Sequence, residues 1–256
     1  MTELMQALQA TEAEILRTLN LFHRPGSVDE VRILGIPGRG RPFTAAGYFT
    51  NFERAAQQAA LYDQSRCPKG IYFTLNAVNP ALLARSPDQI TEYLDTTTSD
   101  ADVVRRRWIL IDVDPQRPSG IPSSDEELDA ARIVASEVRD CLMQEFGFCE
   151  PIEAISGNGW HLLFPCDAPN DEATKQATGG LLNSMAGRFG GERTPQGLPR
   201  VDIDTSVFNA GRITKLYGTM VRKGHGISGR PLRPSKLIHV PANLDFQTAG
   251  GGTNEN

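Results

Sequence analysis

The chain is poor in the residues that build metal-stapled or disulfide-stapled folds. Its four cysteines, Cys67, Cys141, Cys149 and Cys166, include no C-x2-C pair, and no histidine stands at zinc-ligand spacing from any of them. They read as reduced thiols rather than as a zinc module. No apolar run approaches the roughly 20 residues that a membrane span needs. Residues 1–21 are polar and acidic, unlike a signal peptide. Those two absences predict a cytoplasmic protein with no membrane partner. Internal repeats are absent as well. What remains is ordinary globular material, 39% hydrophobic and 22% charged over 256 residues. That is enough chain for one large domain or two small lobes.

Charge is unevenly spread. The net charge of −5 argues against a general nucleic-acid binder. Residues 192–240, however, hold nine Lys/Arg (Arg193, Arg200, Arg212, Lys215, Arg222, Lys223, Arg230, Arg233 and Lys236) against three acids, whereas residues 1–191 carry 17 against 26. One basic groove on an acidic body fits that asymmetry, and so does a solvated basic face with no ligand.

Periodicity and turn chemistry predict the elements. An amphipathic helix over 3–21 is broken at His23-Arg24-Pro25-Gly26-Ser27. Val31–Ile36 reads as a strand, and 35–42, with Arg39 and Arg41, as a flexible loop. Asn51 caps a helix to about Gln64. Gly70–Leu75 is a strand candidate, and residues 80–98 look helical with a break at Pro87. Trp108–Asp114 has the four apolar residues of a buried central strand leading into an acid. Ser123 or Ser124 starts a long helix to Phe146, with Glu126 and Glu127 in its first turn. Ile152–Ile155 and Trp160–Phe164 form a hairpin. A helix follows over about 171–189, then a loop over 190–200 and mixed signals over 201–216. The fold class is therefore α+β.

Three signals carry chemistry. Asp112-Val113-Asp114 puts two carboxylates on one strand face, where their repulsion is relieved by a divalent cation. Such a pair also occurs at loop mouths and caps. Ser156-Gly157-Asn158-Gly159-Trp160-His161 brings backbone N–H groups, a hydroxyl and an imidazole within reach of a phosphate, or is a plain hairpin turn. Asp202-Ile203-Asp204-Thr205-Ser206-Val207 offers a third carboxylate, with Arg212, Lys215 and Lys223 downstream to meet a triphosphate. Either Asp202 or Asp204 can serve on this pattern.

Taken in order, these motifs resemble the archaeo-eukaryotic primase superfamily, in particular the primase-polymerase domains of plasmids, phages and other mobile elements. The resemblance covers about 30–240 and is densest over 105–225, where Gly211–Thr219 also looks like the family's segment after its third motif. It implies an RRM-like catalytic half beside a smaller α/β half over 30–240; the N-terminal helix (1–29) precedes it, and the polar, glycine-rich end (241–256) reads as a disordered linker. Asp112, Asp114 and Asp204 would hold two Mg2+ or Mn2+ ions, with Asp202 a neighbour. Ser156, Gly157, Asn158, His161, Arg212 and Lys215 would face the incoming nucleotide. No zinc element of the kind some relatives carry is present.

The implied activity is nucleotidyl transfer from NTP or dNTP to a primer or dinucleotide on a single-stranded DNA template. Arg222, Lys223, Arg230 and Arg233 are candidates to hold template phosphates. Tyr48, Phe49 and Tyr72 could stack on bases but read better as core. The glycine-rich 250–252 suggests a neighbouring partner domain such as a helicase. Two other functions stay open. A two-metal nuclease or phosphodiesterase also uses strand-borne acids, although the chain lacks a histidine-rich or Glu/Lys nuclease set. A non-catalytic replication-initiation module would bind DNA without metal.

Overall fold

The computed structural model describes residues 3–244 and 246. Its first half runs α1 (Glu3–Phe22), β1 (Asp29–Ile36), β2 (Phe43–Phe49), α2 (Phe52–Ser65), β3 (Gly70–Thr74), β4 (Ala77–Val78) and β5 (Thr91–Glu92). Then come β6 (Val103–Pro115), α3 (Asp125–Phe146), β7 (Ile152–Ile155), β8 (Trp160–Ala168) and α4 (Glu172–Phe189). Five short strands finish it: β9 (Val201–Ile203), β10 (Ile213–Lys215), β11 (Met220–Val221), β12 (Arg233–Pro234) and β13 (Lys236–His239).

Helix starts follow local chemistry. Asn51 accepts the Arg54 N–H at the head of α2, and Asp171 accepts the Thr174 N–H at the head of α4. At α3, Ser124 and Glu127 cap each other's backbone N–H groups, and Gly147 closes the helix in the left-handed region at φ +69°. Each cap satisfies a donor that the first turn leaves unpaired.

The architecture is mixed α+β with antiparallel sheets. Besides the two-stranded β11-β12 ribbon there are two larger sheets, one of which runs β10-β3-β1-β2-β5. The other runs β13-β7-β8-β6, with β4 and β9 sharing the far edge of β6. Within the second sheet, β6, α3, β7, β8, α4 and β9 make a β-α-β-β-α-β unit in strand order β7-β8-β6-β9. Alternation along β6 divides its side chains between two faces. Ile111 and Val113 are fully buried, in one core cluster with Val134, Val138 and Leu142 of α3 and with Leu162 and Phe164 of β8. Each such residue contributes about 1.5–3 kcal/mol of burial. The same cluster continues into the first sheet through Ile33, Ile71 and Phe73, and takes in Ile15, Leu19 and Phe22 of α1.

Residues 80–98 depart from the expected helix. Only Pro80–Arg85 turns, as a 3-10 helix, and the chain then runs irregularly apart from β5. Polar side chains satisfy backbone groups that a helix would use. The Ser86 hydroxyl bonds the Gln89 carbonyl and Thr91, and Asp88 accepts the Thr50 and Asn51 N–H groups. The mixed signals over 201–216 resolve into β9, a turn and β10. Beyond Pro241, Leu244 and Phe246 pack against the core, so ordered packing continues into the segment expected as linker. The rest of that tail lies outside the described residues.

Candidate functional site

The face of β6 opposite Ile111 and Val113 carries Asp112 and Asp114. Antiparallel pairing sets His161 of β8 directly across from Asp112. On the other edge of β6, the Asp204 N–H donates to the Asp112 carbonyl at 2.9 Å, one step beyond the Val113–Ile203 pair of β6 and β9. Asp204, just past the end of β9, thus stands beside Asp112 of β6 and His161 of β8.

A cleft of about 240 Å3 opens over this row, between the two sheets. Asp112, Asp114, Ser156, Asn158 and His161 line it from one sheet, and Leu34, Tyr72, Arg212 and Lys215 from the other side. Arg117 and Lys223 complete a cationic rim. Asp204 is beside the cleft rather than in its lining. Its carboxylate accepts the Ser206 N–H and meets Arg212 Nη2 at 3.3 Å.

Burial and charge pull the two β6 carboxylates apart. Burial alone would raise Asp112, but His161, Lys223 and Arg212 outweigh it and hold this carboxyl below its usual range. Asp114 is pushed up to about 6 by its setting in the cleft and then by repulsion from Asp112, even though its side chain keeps 45% of its exposure. Lys215 is buried and sits 2.6 Å from the Tyr72 hydroxyl. Burial, with repulsion from Lys223, brings it down to about 7.

His161 Nδ1 lies 2.8 Å from the Tyr217 hydroxyl, which orients the ring. Its Nε2 is 3.3 Å from Asp112 Oδ1 without hydrogen-bond geometry, so that buried oxygen has no hydrogen-bond partner.

An orphaned carboxylate oxygen beside a second carboxylate suits a hard divalent cation. Asp112 and Asp114 fit such an ion, with Asp204 adjacent. As the side chains stand, no group of three or more His, Cys, Asp or Glu among the described residues is gathered tightly enough to hold a metal. The Asp204 carboxylate is instead engaged by Arg212 and by the Ser206 N–H.

The S-G-N-G hairpin does less cradling than its composition implies. The Ser156 N–H bonds the Gly159 carbonyl, and the Gly159 N–H bonds the Ser156 hydroxyl oxygen, so both donors close the turn. Asn158 Oδ1 accepts the Ser123 N–H ahead of α3. The two glycines serve close approach instead. A Cβ on Gly157, at φ +102°, would meet Val221 at 2.6 Å, and one on Gly159 would collide with the Asp114 carboxylate and the Val113 carbonyl. Gly157 is not part of the cleft lining, whereas the Ser156 and Asn158 side chains are.

Of the four expected template residues, Lys223 alone lines the cleft. Arg222 is bound to Asp63, Arg230 to Glu127 in a two-pronged contact, and Arg233 to Asp125 and the Ser123 carbonyl. These arginines fasten the 220–235 segment to α2 and to the head of α3. A template phosphate would have to share each of these arginines with the partner it already has. Asp202 takes a hydrogen bond from Gln116 and keeps apart from the cleft. Sequence reasoning missed Arg117, three residues past Asp114 and 3.7 Å from its carboxylate. It also set Tyr72 among the core residues, although that side chain lines the cleft. Tyr48 and Phe49 are fully buried, as read.

No family model matches this chain, and no curated protein matches it. No helix among the described residues is long and apolar enough to cross a membrane.

Proposed function

We propose that this chain is a primase-polymerase catalytic domain of the archaeo-eukaryotic primase type, adding NTPs or dNTPs to a primer or dinucleotide on single-stranded DNA. One observation carries the reading. Asp112 and His161 face each other on neighbouring strands of a β-α-β-β-α-β sheet, Asp204 is bonded to Asp112 just past the end of β9, Asp114 shares the strand face of Asp112, and cations surround the rim of the cleft. An acidic floor under basic walls is the charge pattern that a metal-bound triphosphate requires.

Asp112 and Asp114 would hold divalent metal, and Asp204 would join them on leaving Arg212. Mg2+ or Mn2+, when bound, supplies the charge that favours an attacking 3'-hydroxylate and a departing pyrophosphate. Arg212, once released from Asp204, is placed to pair with phosphate oxygens. His161, held by Tyr217, donates from Nε2 to a phosphate oxygen in the cleft. Lys215, brought down to about 7, takes up and releases protons near neutral pH. Asp114, raised by burial and by Asp112, has to lose its proton to hold metal, so protons compete with metal there and metal binding weakens in acid. Lys223 and Arg117 face the strand that enters the cleft. A cytoplasmic location belongs to this reading, as does a neighbouring helicase or replication partner.

The test is primer synthesis and extension on a single-stranded template, with each nucleotide set and with Mg2+ or Mn2+. Products should lengthen with metal and vanish in Asp112→Ala. Shortening of the template instead would identify a nuclease. Metal-independent DNA binding with no product, unchanged in Asp112→Ala, would identify a binding module.

A further inference from the structure

A second cavity, of about 490 Å3, lies between the first half of β6, the end of β8 and α4. It shares no lining residue with the catalytic cleft. Its walls are mostly apolar, from Trp108, Ile109, Phe148, Ala177 and Leu181. One charged side chain, Arg106, lines it, and that residue is only 5% exposed.

The Arg106 guanidinium is poorly compensated. Nη1 donates to the Phe208 carbonyl at 2.6 Å, while Nε is buried with no partner. No carboxylate among the described residues forms an ion pair with it, and Asp100 and Asp171 act on it only from a distance. A neutral carbonyl does not offset the desolvation of a full charge, and buried arginines are otherwise found paired. The molecule therefore holds an unpaired cation at an apolar cavity of ligand size.

We propose that this cavity binds a small organic monocarboxylate with an apolar or aromatic body, its carboxylate on Arg106 and its body against Trp108, Phe148 and Leu181. A polyanion is disfavoured, because one guanidinium leaves its second charge unpaired among apolar walls. An extended peptide is disfavoured too, because those walls offer few partners for its backbone N–H and C=O groups. The same guanidinium holds the carbonyl of Phe208, which stands between Asp204 and Arg212 in the chain.

Calorimetric titration of the whole chain with 4-phenylbutanoate, and with its neutral amide, tests this without any need for nucleotide addition. The acid should bind saturably at one site, and the amide about tenfold more weakly or worse. Arg106→Gln should remove the preference for the acid. Ala177→Phe, which fills the cavity from α4 and leaves Arg106 in place, should abolish binding of both. Equal affinity for acid and amide would overturn the proposal, as would undiminished acid binding in Ala177→Phe or no saturable binding at all. Should Arg106→Gln fail to fold on losing its hold on Phe208, the other two comparisons decide.

Discussion

Two His–Asp pairs in this molecule have the same chemistry and opposite surroundings. His23 Nε2 lies 2.6 Å from Asp29 Oδ2, both side chains are buried, and the Thr74 hydroxyl donates to the other Asp29 oxygen. Rings of Phe52 and Phe73 flank the imidazole edge-on. Burial raises the Asp29 carboxyl, and its contacts with His23 and Thr74 only partly offset that. His161 and Asp112 are farther apart, at 3.3 Å, and face a cleft with Arg212, Lys215 and Lys223 around it. The first pair is sealed and acts as structural glue. The second is open, held below its usual carboxyl range by surrounding charge, and free to take a ligand. What separates a structural pair from a working one is access and neighbouring cations, not residue type.

The sharpest way to break this contrast is to remove each acid in turn. Asp112→Ala should cut nucleotide addition by about a thousandfold or more, the scale expected when a metal ligand is lost. Its melting temperature should stay near that of the wild type, as scanning calorimetry would record. Asp29→Ala should do the reverse. Breaking a buried pair costs about 3 kcal/mol. For a chain of this size that is a drop of roughly 6–12 °C in Tm, with the rate per folded molecule preserved. Equal loss of activity and stability in both variants would erase the distinction.

His161→Ala should weaken NTP affinity about tenfold, the value of one hydrogen bond to a charged group, as a fluorescent-nucleotide titration would read. An unchanged affinity would confine His161 to orienting Asp112.

The smallest effect concerns Asp114 and its sign. Its carboxyl goes from about 3.8 in the unfolded chain to about 6 in the fold, so the folded state binds more protons in that window. Stability contributed by this group therefore falls as pH rises from 4 to 6. Asp114→Asn should raise Tm at pH 7.5 in EDTA by about 2–4 °C, the effect of about 1 kcal/mol after discounting for exposure. At pH 4 that gain should disappear. A gain that persists there would remove charge repulsion as its cause.

Much of this was legible because the relevant signals are local. The caps at Asn51 and Ser124, the apolar run into Asp112 and the hairpin glycines each state their structure in a few residues, and the α+β class follows from their order. Alternation also put Asp112 and Asp114 on one face correctly. Pairings between distant residues were not legible. Arg222, Arg230 and Arg233 look like a basic patch in a linear count, but Asp63, Glu127 and Asp125 lie more than 100 residues earlier in the chain and neutralise them. His23 looked like part of a helix-breaking stretch because its partner Asp29 becomes significant only when Phe52 and Phe73 close over it. The 80–98 segment misled for a related reason, since side chains of Ser86 and Asp88 compete with a helix in ways that periodicity does not register.

The Asp204–Asp112 backbone hydrogen bond limits how such a site can change. Because function and core occupy alternate letters of the same strands, a one-residue insertion within β6, β8 or β9 would swap an acid or an imidazole for Ile, Val or Leu and drive charge into the interior. Loops elsewhere can lengthen freely. These strands can vary by substitution, but hardly at all by length.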